Sequence, residues 1–252
     1  VLITGASSGI GAACAEYFAS EGARLALVEN DPLLILRDIA TDAQQIIDET
    51  IQKYNRLDVL INNAGFAIRG TVENTKIENF DAVMATNVRA VFLLTHLAVP
   101  FLKASKGNVV NVSSVGSLRP YTNNLAYCMS KAAVDHFTRC AALELSSEGV
   151  RVNCVNPGLI ATDFHLNLGM PMEQYVPFIE NFGKQHPIGR HGQAPEVVNA
   201  IAFLSKENSG FVTGVCLPID GGMTISNEAS LVEHHTDSSR QIVHRDMTFP
   251  RL

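Results

Sequence analysis

Apolar residues follow two rhythms along the chain. Short, nearly continuous apolar runs at Val1–Ile3, Arg24–Val28, Leu33–Leu36, Val59–Ile61, Asn108–Val112, Val150–Val155 and Val215–Ile219 predict strands. Between most of them the period changes. Residues 9–20 set Ile10, Ala13, Cys14, Tyr17 and Phe18 on one stripe, as an amphipathic helix requires. Similar stripes predict helices at about 43–54, 76–103, 124–146 and 194–205. Continuous apolar strands alternating with such helices imply a parallel sheet covered on both faces. The expected fold is a single doubly wound α/β domain of the Rossmann type, with about seven strands, over residues 1–222. From 223 to 252 the periodicity stops. This extension reads either as disordered or, because Leu231, Val232, Ile242, Val243, Phe249 and Leu252 give it a few apolar anchors, as partly ordered with a role in assembly.

Composition narrows the function more than the fold. With 252 residues, 46% of them hydrophobic and 17% charged, the chain suits one large domain. A net charge of -6 and a pI near 5.7 leave no basic footprint for nucleic acid or an anionic membrane. No window comes close to the roughly 18 apolar residues of a membrane span. Val1 opens into a strand rather than into a targeting segment, so a cytoplasmic location is expected. Cys14, Cys128, Cys140, Cys154 and Cys216 are odd in number and scattered through apolar patterns, which reads as reduced core cysteines. The histidines show no HExxH or CxxC-type spacing, so no metal site is expected; His234 and His235 lie in the polar tail.

The chemistry begins with "TGASSGIG" directly after the first strand, with Gly5, Gly9 and Gly11 opening the first helix. A strand-to-helix turn made of glycines lets backbone approach a pyrophosphate while free N–H groups at the helix start face the anion. Tyr127 and Lys131 stand four residues apart in a helical pattern and so share a helix face. A cation beside a phenol favours phenolate, which is expected to lower the Tyr127 pKa and fit it for general acid/base work.

The order of these motifs resembles the short-chain dehydrogenases/reductases. "TGxxxGxG" is matched at 4–11, "NNAG" at Asn62 to Gly65, an asparagine within a long helix at Asn87, a serine after a strand at Ser114, "YxxxK" at Tyr127 to Lys131, "PG" at Pro157 and Gly158, and "DGG" at Asp220 to Gly222. The resemblance spans about residues 1–222. It implies NAD(P)-dependent interconversion of a carbonyl and a secondary alcohol, with Tyr127 as acid/base and Ser114 orienting the substrate oxygen. Ser113, pointing to the other side of the strand, is the lesser candidate. Lys131 would also bond the nicotinamide ribose, and Asn87 would distort its helix so that its main chain binds a water relaying protons to the lysine. Gly5, Ser7, Ser8, Gly9, Ile10 and Gly11 would cradle the phosphates. Asn63, Ala64 and Gly65 would line the path from the adenine ribose, Asp38 and Ile39 would meet the adenine, and Pro157, Gly158, Ile160 and Thr162 would border the nicotinamide.

The family also implies a lid of one or two short helices after Gly158. In this chain that segment carries Phe164, Leu166, Leu168, Met170, Met172, Tyr175, Phe178, Ile179 and Phe182, with Phe66, Ile68, Leu118 and Tyr121 as further wall candidates. A lipophilic ketone, secondary alcohol or acyl thioester is the expected substrate, and a homotetramer or homodimer the expected assembly. A catalytically weak cofactor-binding or scaffolding protein is the competing reading; loss of Tyr127 or Lys131 would favour it, and both are present.

One stretch conflicts with the resemblance. The family's strand order makes Arg24–Val28 and Leu33–Leu36 parallel neighbours, joined here by only Glu29, Asn30, Asp31 and Pro32. Four residues reach about 14 Å at most, while returning along a five-residue strand takes roughly 17 Å and the step sideways about 4.8 Å more. Residues are therefore expected to be missing between about Val28 and Asp31, absent from the structure or deleted from the chain. Glu29 aligns with the acidic residue that would select NAD, and the gap leaves the choice between NAD and NADP open.

Overall fold

The computed structural model describes residues 1–28 and 39–226. The expected strand at Leu33–Leu36, the gap near Val28, Glu29, Asp38, the side chain of Ile39 and the tail from 227 lie outside the described residues.

The elements run β1 (Leu2–Thr4), α1 (Gly9–Ser20), β2 (Ala26–Val28), α2 (Ile39–Tyr54), β3 (Val59–Asn62), α3 (Ile77–Met84), α4 (Ala90–Ser105), β4 (Asn108–Val112), α5 (Leu125–Leu145), β5 (Arg151–Pro157), β6 (Ile160–Ala161), α6 (Phe164–Asn167), α7 (Met172–Gly183), β7 (Gly192–Gln193), α8 (Ala194–Ser205) and β8 (Cys216–Ile219). Among the described residues the main sheet has six strands in the order β2-β1-β3-β4-β5-β8, and all its pairings are parallel. β1 therefore has β2 on one side and β3 on the other. The chain reverses direction across it, and the crevice at the carboxyl ends of β1 and β3 is where such sheets bind ligands.

Period-two alternation divides the core into two layers. Leu2, Leu60, Val109 and Val152 point toward Ile47 of α2, Leu94 and Leu102 of α4 and Ala141 of α5. Ile3, Ile61, Val110 and Val155 point the other way, toward Cys14 and Phe18 of α1 and Val197 and Ile201 of α8. Leu2, Ile3, Leu60, Ile61, Val109 and Val110 are all 0% exposed, as strands covered on both faces must be.

The helical pattern read at 76–103 is one rod of three parts: α3, a π turn at Ala85–Arg89, and α4. The rod contains an 18-residue window of mean hydropathy 1.5, long and apolar enough for a membrane span by length and composition, contrary to the sequence reading. It is a core helix of the sheet layer, burying Val83, Asn87, Leu94, Ala98 and Leu102. At the far end, Met223 is 4% exposed, held by the Arg119 guanidinium on its carbonyl at 3.0 Å and the Tyr121 hydroxyl on its sulfur at 3.5 Å. Packing thus continues past 222, into the first residue of the expected extension.

Candidate active site

The glycine turn is built by close approach. A Cβ on Gly11 would meet the Gly5 carbonyl oxygen at 2.0 Å and the Asn63 amide nitrogen at 2.5 Å. Gly5 and Gly9 have φ of 65° and 54°, the left-handed region that glycine reaches without strain. Ser7 and Ser8 are exposed, and Ser8, the N-cap of α1, makes no side-chain capping bond, so the helix start faces outward with its amides open. These features fit a dinucleotide pyrophosphate. Ile10 packs partly into the core behind the turn.

The "NNAG" segment is tied to the same turn. Thr4 Oγ1 accepts hydrogen bonds from the amides of Asn63 and Ala64, each at 3.0 Å, and Asn63 Nδ2 donates to the carbonyls of Thr4 and Gly5. Thr4 opens the "TGxxxGxG" match, but the glycines alone carry the reading of that motif and Thr4 is not among the expected site residues. Its place as the last residue of the first strand, facing the next strand's end, was the available signal. A Cβ on Gly65 would lie 3.2 Å from both Asn87 Oδ1 and Lys131 Nζ. The cofactor turn and the helix-borne residues therefore meet around one glycine.

Asn87 lies within the π turn, so the helix is distorted where the resemblance placed the distortion. Its side chain is 0% exposed. It donates to the Phe66 carbonyl and Ser130 Oγ, both at 2.9 Å, and accepts from the Phe66 amide at 3.1 Å.

Ser114 leaves the end of β4 in extended conformation and accepts from the Gly116 amide at 3.0 Å. Ser113 turns the other way, giving its hydroxyl to the Lys131 carbonyl at 3.1 Å. Tyr127 and Lys131 share a face of α5: the Lys131 ammonium is 5.7 Å from the Tyr127 ring centre and donates to the Val112 carbonyl at 2.9 Å. Burial pushes the Tyr127 phenol up to about 12, offset in part by the Ser114 hydroxyl beside it. Burial also pulls Lys131 down to about 8, against the opposing pull of Cys154 and Asp135. The expected lowering of the Tyr127 pKa is therefore corrected: desolvation outweighs the neighbouring cation, whose ammonium is directed at a main-chain carbonyl.

Beyond β5, Gly158 packs on Asp220 and His186, and Thr162 faces Gly9, where an added Cβ would meet its side chain at 3.2 Å. Ile160 belongs to the core layer under α8, and Pro157 ends β5. α6 and α7 supply the two short helices expected after Gly158. Their rings form a row: Tyr127 to Phe164 at 5.8 Å, Phe164 to His165 at 5.5 Å, His165 to Phe178 at 4.7 Å and Phe178 to Phe182 at 5.6 Å. Burial, with Arg69 nearby, holds His165 below its ordinary pKa. Among the other wall candidates, Leu118 is 43% exposed and Tyr121 packs on Met223.

The five cysteines are all free, but they do not all lie in the core: Cys14 and Cys154 are buried, whereas Cys140 is exposed on α5. The fold also gathers Asp135, Cys154 and Cys216, from α5, β5 and β8, with ligand atoms within 4.8 Å of one another. Local spacing rules do not detect such a group.

The fold, the glycine turn and the Ser114, Tyr127 and Lys131 cluster define a nucleotide-dependent dehydrogenase/reductase, and known proteins agree. A family model described as enoyl-(acyl carrier protein) reductase matches residues 5–224. Glucose 1-dehydrogenase of Gluconobacter oxydans is 37% identical, covering 89% of this chain and 91% of that protein. A Caenorhabditis elegans short-chain dehydrogenase/reductase solved with cofactor superposes with a TM-score of 0.82 and 32% identity, covering 91% of this chain and 96% of that one. The 3-ketoacyl-(acyl-carrier-protein) reductase of Brucella melitensis, solved with NADH, gives 0.79 and 30%, covering 88% and 97%. The chain belongs to the short-chain dehydrogenase/reductase family. It is an NAD(P)-dependent oxidoreductase acting on CH–OH and C=O groups.

Proposed function

We propose that this protein interconverts a lipophilic ketone or acyl thioester and the matching secondary alcohol, with Tyr127 as the general acid/base. The observation carrying this reading is the placement of the Ser114 hydroxyl, at the end of β4, beside the Tyr127 phenol, where it favours the phenolate, with Lys131 beside the same ring. NAD or NADP would supply or accept the hydride, held by the glycine turn, Asn63, Ala64, Gly65, Lys131 and Thr162. In reduction, Tyr127 gives its proton to the substrate oxygen. In oxidation it takes the proton from the alcohol, and Ser114 holds that oxygen in line. Lys131 carries the positive charge that stabilises the phenolate as it forms, and Asn87 fixes Phe66 and the π turn behind the lysine.

The aromatic row from Tyr127 to Phe182 supports an apolar substrate. A homotetramer or homodimer is part of the reading, supported by Phe92 on α4 and Met129 on α5, 50% and 47% exposed. A cytoplasmic location is supported by five cysteines without a disulfide.

The test is a panel of ketones, acyl thioesters, secondary alcohols and sugars, each with both cofactors, comparing the wild type with Tyr127→Phe. Turnover on apolar carbonyls that falls at least about a hundredfold in the variant supports the mechanism. Unchanged turnover in the variant overturns it. Tight cofactor binding without turnover on any substrate gives the scaffold reading instead.

A further inference from the structure

We propose that Asp135, Cys154 and Cys216 form a binding site for one thiophilic divalent cation, of which zinc is the type. Cys154 and Cys216 are direct partners on neighbouring parallel strands, so both side chains leave the same face of the sheet. α5 covers that face and brings Asp135 onto them. Cys154 Sγ is 3.4 Å from Asp135 Oδ1, and the three ligand atoms lie within 4.8 Å. A tetrahedral zinc ion with ordinary bond lengths has sulfur-to-oxygen edges of about 3.6 Å and sulfur-to-sulfur edges of about 3.8 Å. The Cys154 to Asp135 edge already matches. Cys216 closes the rest by a shift of no more than about 1 Å, the excess of the observed span over that edge.

The outer contacts are those a metal-binding carboxylate needs. Asn156 Nδ2 donates to both Asp135 oxygens, at 3.0 and 2.9 Å, and Ser117 Oγ donates to Oδ2 at 2.7 Å. These bonds fix the carboxylate and leave toward the cysteines the position now taken by the Cys154 thiol, so a cation would replace a proton there. Asp135, Cys154 and Asn156 are 3%, 0% and 0% exposed, while Cys216 is half-buried and gives a route of entry and a corner for a water ligand. Two thiolates and a carboxylate carry one more negative charge than the cation neutralises, and the Lys131 ammonium lies one helical turn back on α5. Soft sulfur ligands select zinc or cadmium over magnesium or calcium. Asn156 also donates to the Ser114 carbonyl at 3.2 Å, and Ser117 Oγ lies 2.7 Å from that carbonyl as an alternative acceptor for its one proton, so the site would brace the Ser114 turn as well.

The experiment titrates the reduced, metal-free protein with cadmium and follows the thiolate-to-metal charge-transfer band, with zinc as competitor. Expected are one cadmium per chain, displacement by zinc, full retention in the C14S/C128S/C140S triple variant, loss of the band in Cys216→Ser and at least tenfold weaker binding in Asp135→Asn. Cys216 is half-buried, so its replacement tests the site even where Cys154→Ser does not fold. No band in the wild type, a band unchanged in Cys216→Ser, a band lost in the triple variant, or failure of zinc to compete would each overturn the proposal.

Discussion

The Lys131 ammonium lies beside the Tyr127 ring, 5.7 Å from its centre, yet gives a hydrogen bond to the Val112 carbonyl at 2.9 Å. It is a buried charge that the folded state holds at a cost, with a pKa of about 8 against an ordinary 10.5. Below about 8 the lysine is charged in folded and unfolded chains alike, and the burial penalty is fully present. Between about 8 and 10.5 the folded protein has lost the proton and the unfolded chain keeps it, so stability rises with pH. Lys131→Met should remove that rise, unfold at higher denaturant than wild type at pH 7, and lose at least about a hundredfold in turnover. Urea titrations of both proteins from pH 6 to 10 measure the difference.

The two neighbouring serines separate by function. Ser114→Ala removes the hydroxyl that offsets the burial of the Tyr127 phenol, so the phenol rises further and turnover falls by about 10² or more. Ser113→Ala loses only a bond to the Lys131 carbonyl, costs about 0.5–1.5 kcal/mol of stability and leaves turnover within a few-fold. Steady-state rates beside thermal midpoints distinguish the two.

An alanine at Gly11 would place its Cβ 2.0 Å from the Gly5 oxygen, and backbone must move to admit it. Cofactor affinity should drop at least tenfold, with a clear fall in thermal midpoint. Gly22→Ala is the control. Gly22 has φ of 78° with nothing within 4 Å, so only conformational strain of about 1 kcal/mol is expected, with normal cofactor binding. Fluorescence titration with NADH and NADPH reads both variants.

Thr4→Val keeps the shape of the side chain and removes the oxygen that accepts from the Asn63 and Ala64 amides. Two N–H groups lose their partner where Ala64 is 9% exposed, which should cost about 2–4 kcal/mol. Equilibrium unfolding measures the cost, and a weaker cofactor complex should accompany it.

How much of this was legible in the sequence depended on how local each feature is. The turn at Gly5, Gly9 and Gly11 and the shared helix face of Tyr127 and Lys131 are set by spacing along one segment, and the structure has both at those places. The two core layers follow from alternation in strands such as Leu60 and Ile61. The direction of the Tyr127 shift was read wrongly, because a four-residue spacing records the cation and not the burial. The Asp135, Cys154 and Cys216 group was invisible for another reason, its members coming from distant elements, and Thr4, although it opens the glycine motif, gains its role only from the end of β3. β6 and β7, at Ile160–Ala161 and Gly192–Gln193, are too short to leave a period. The strand expected at Leu33–Leu36 falls outside the described residues.

Gly65 has a consequence for evolvability. With 3.2 Å between an added Cβ and both Asn87 Oδ1 and Lys131 Nζ, even one methyl group there must push two site side chains aside by a few tenths of an ångström. The segment from Phe164 to Gly183 is less restricted up to its last residue: α6 buries none of its residues and α7 only Ile179 and Gly183, where an added Cβ would meet the His191 amide nitrogen at 2.7 Å. A lineage, or a directed library, can therefore vary the exposed positions of that segment freely while leaving Gly65 as it is.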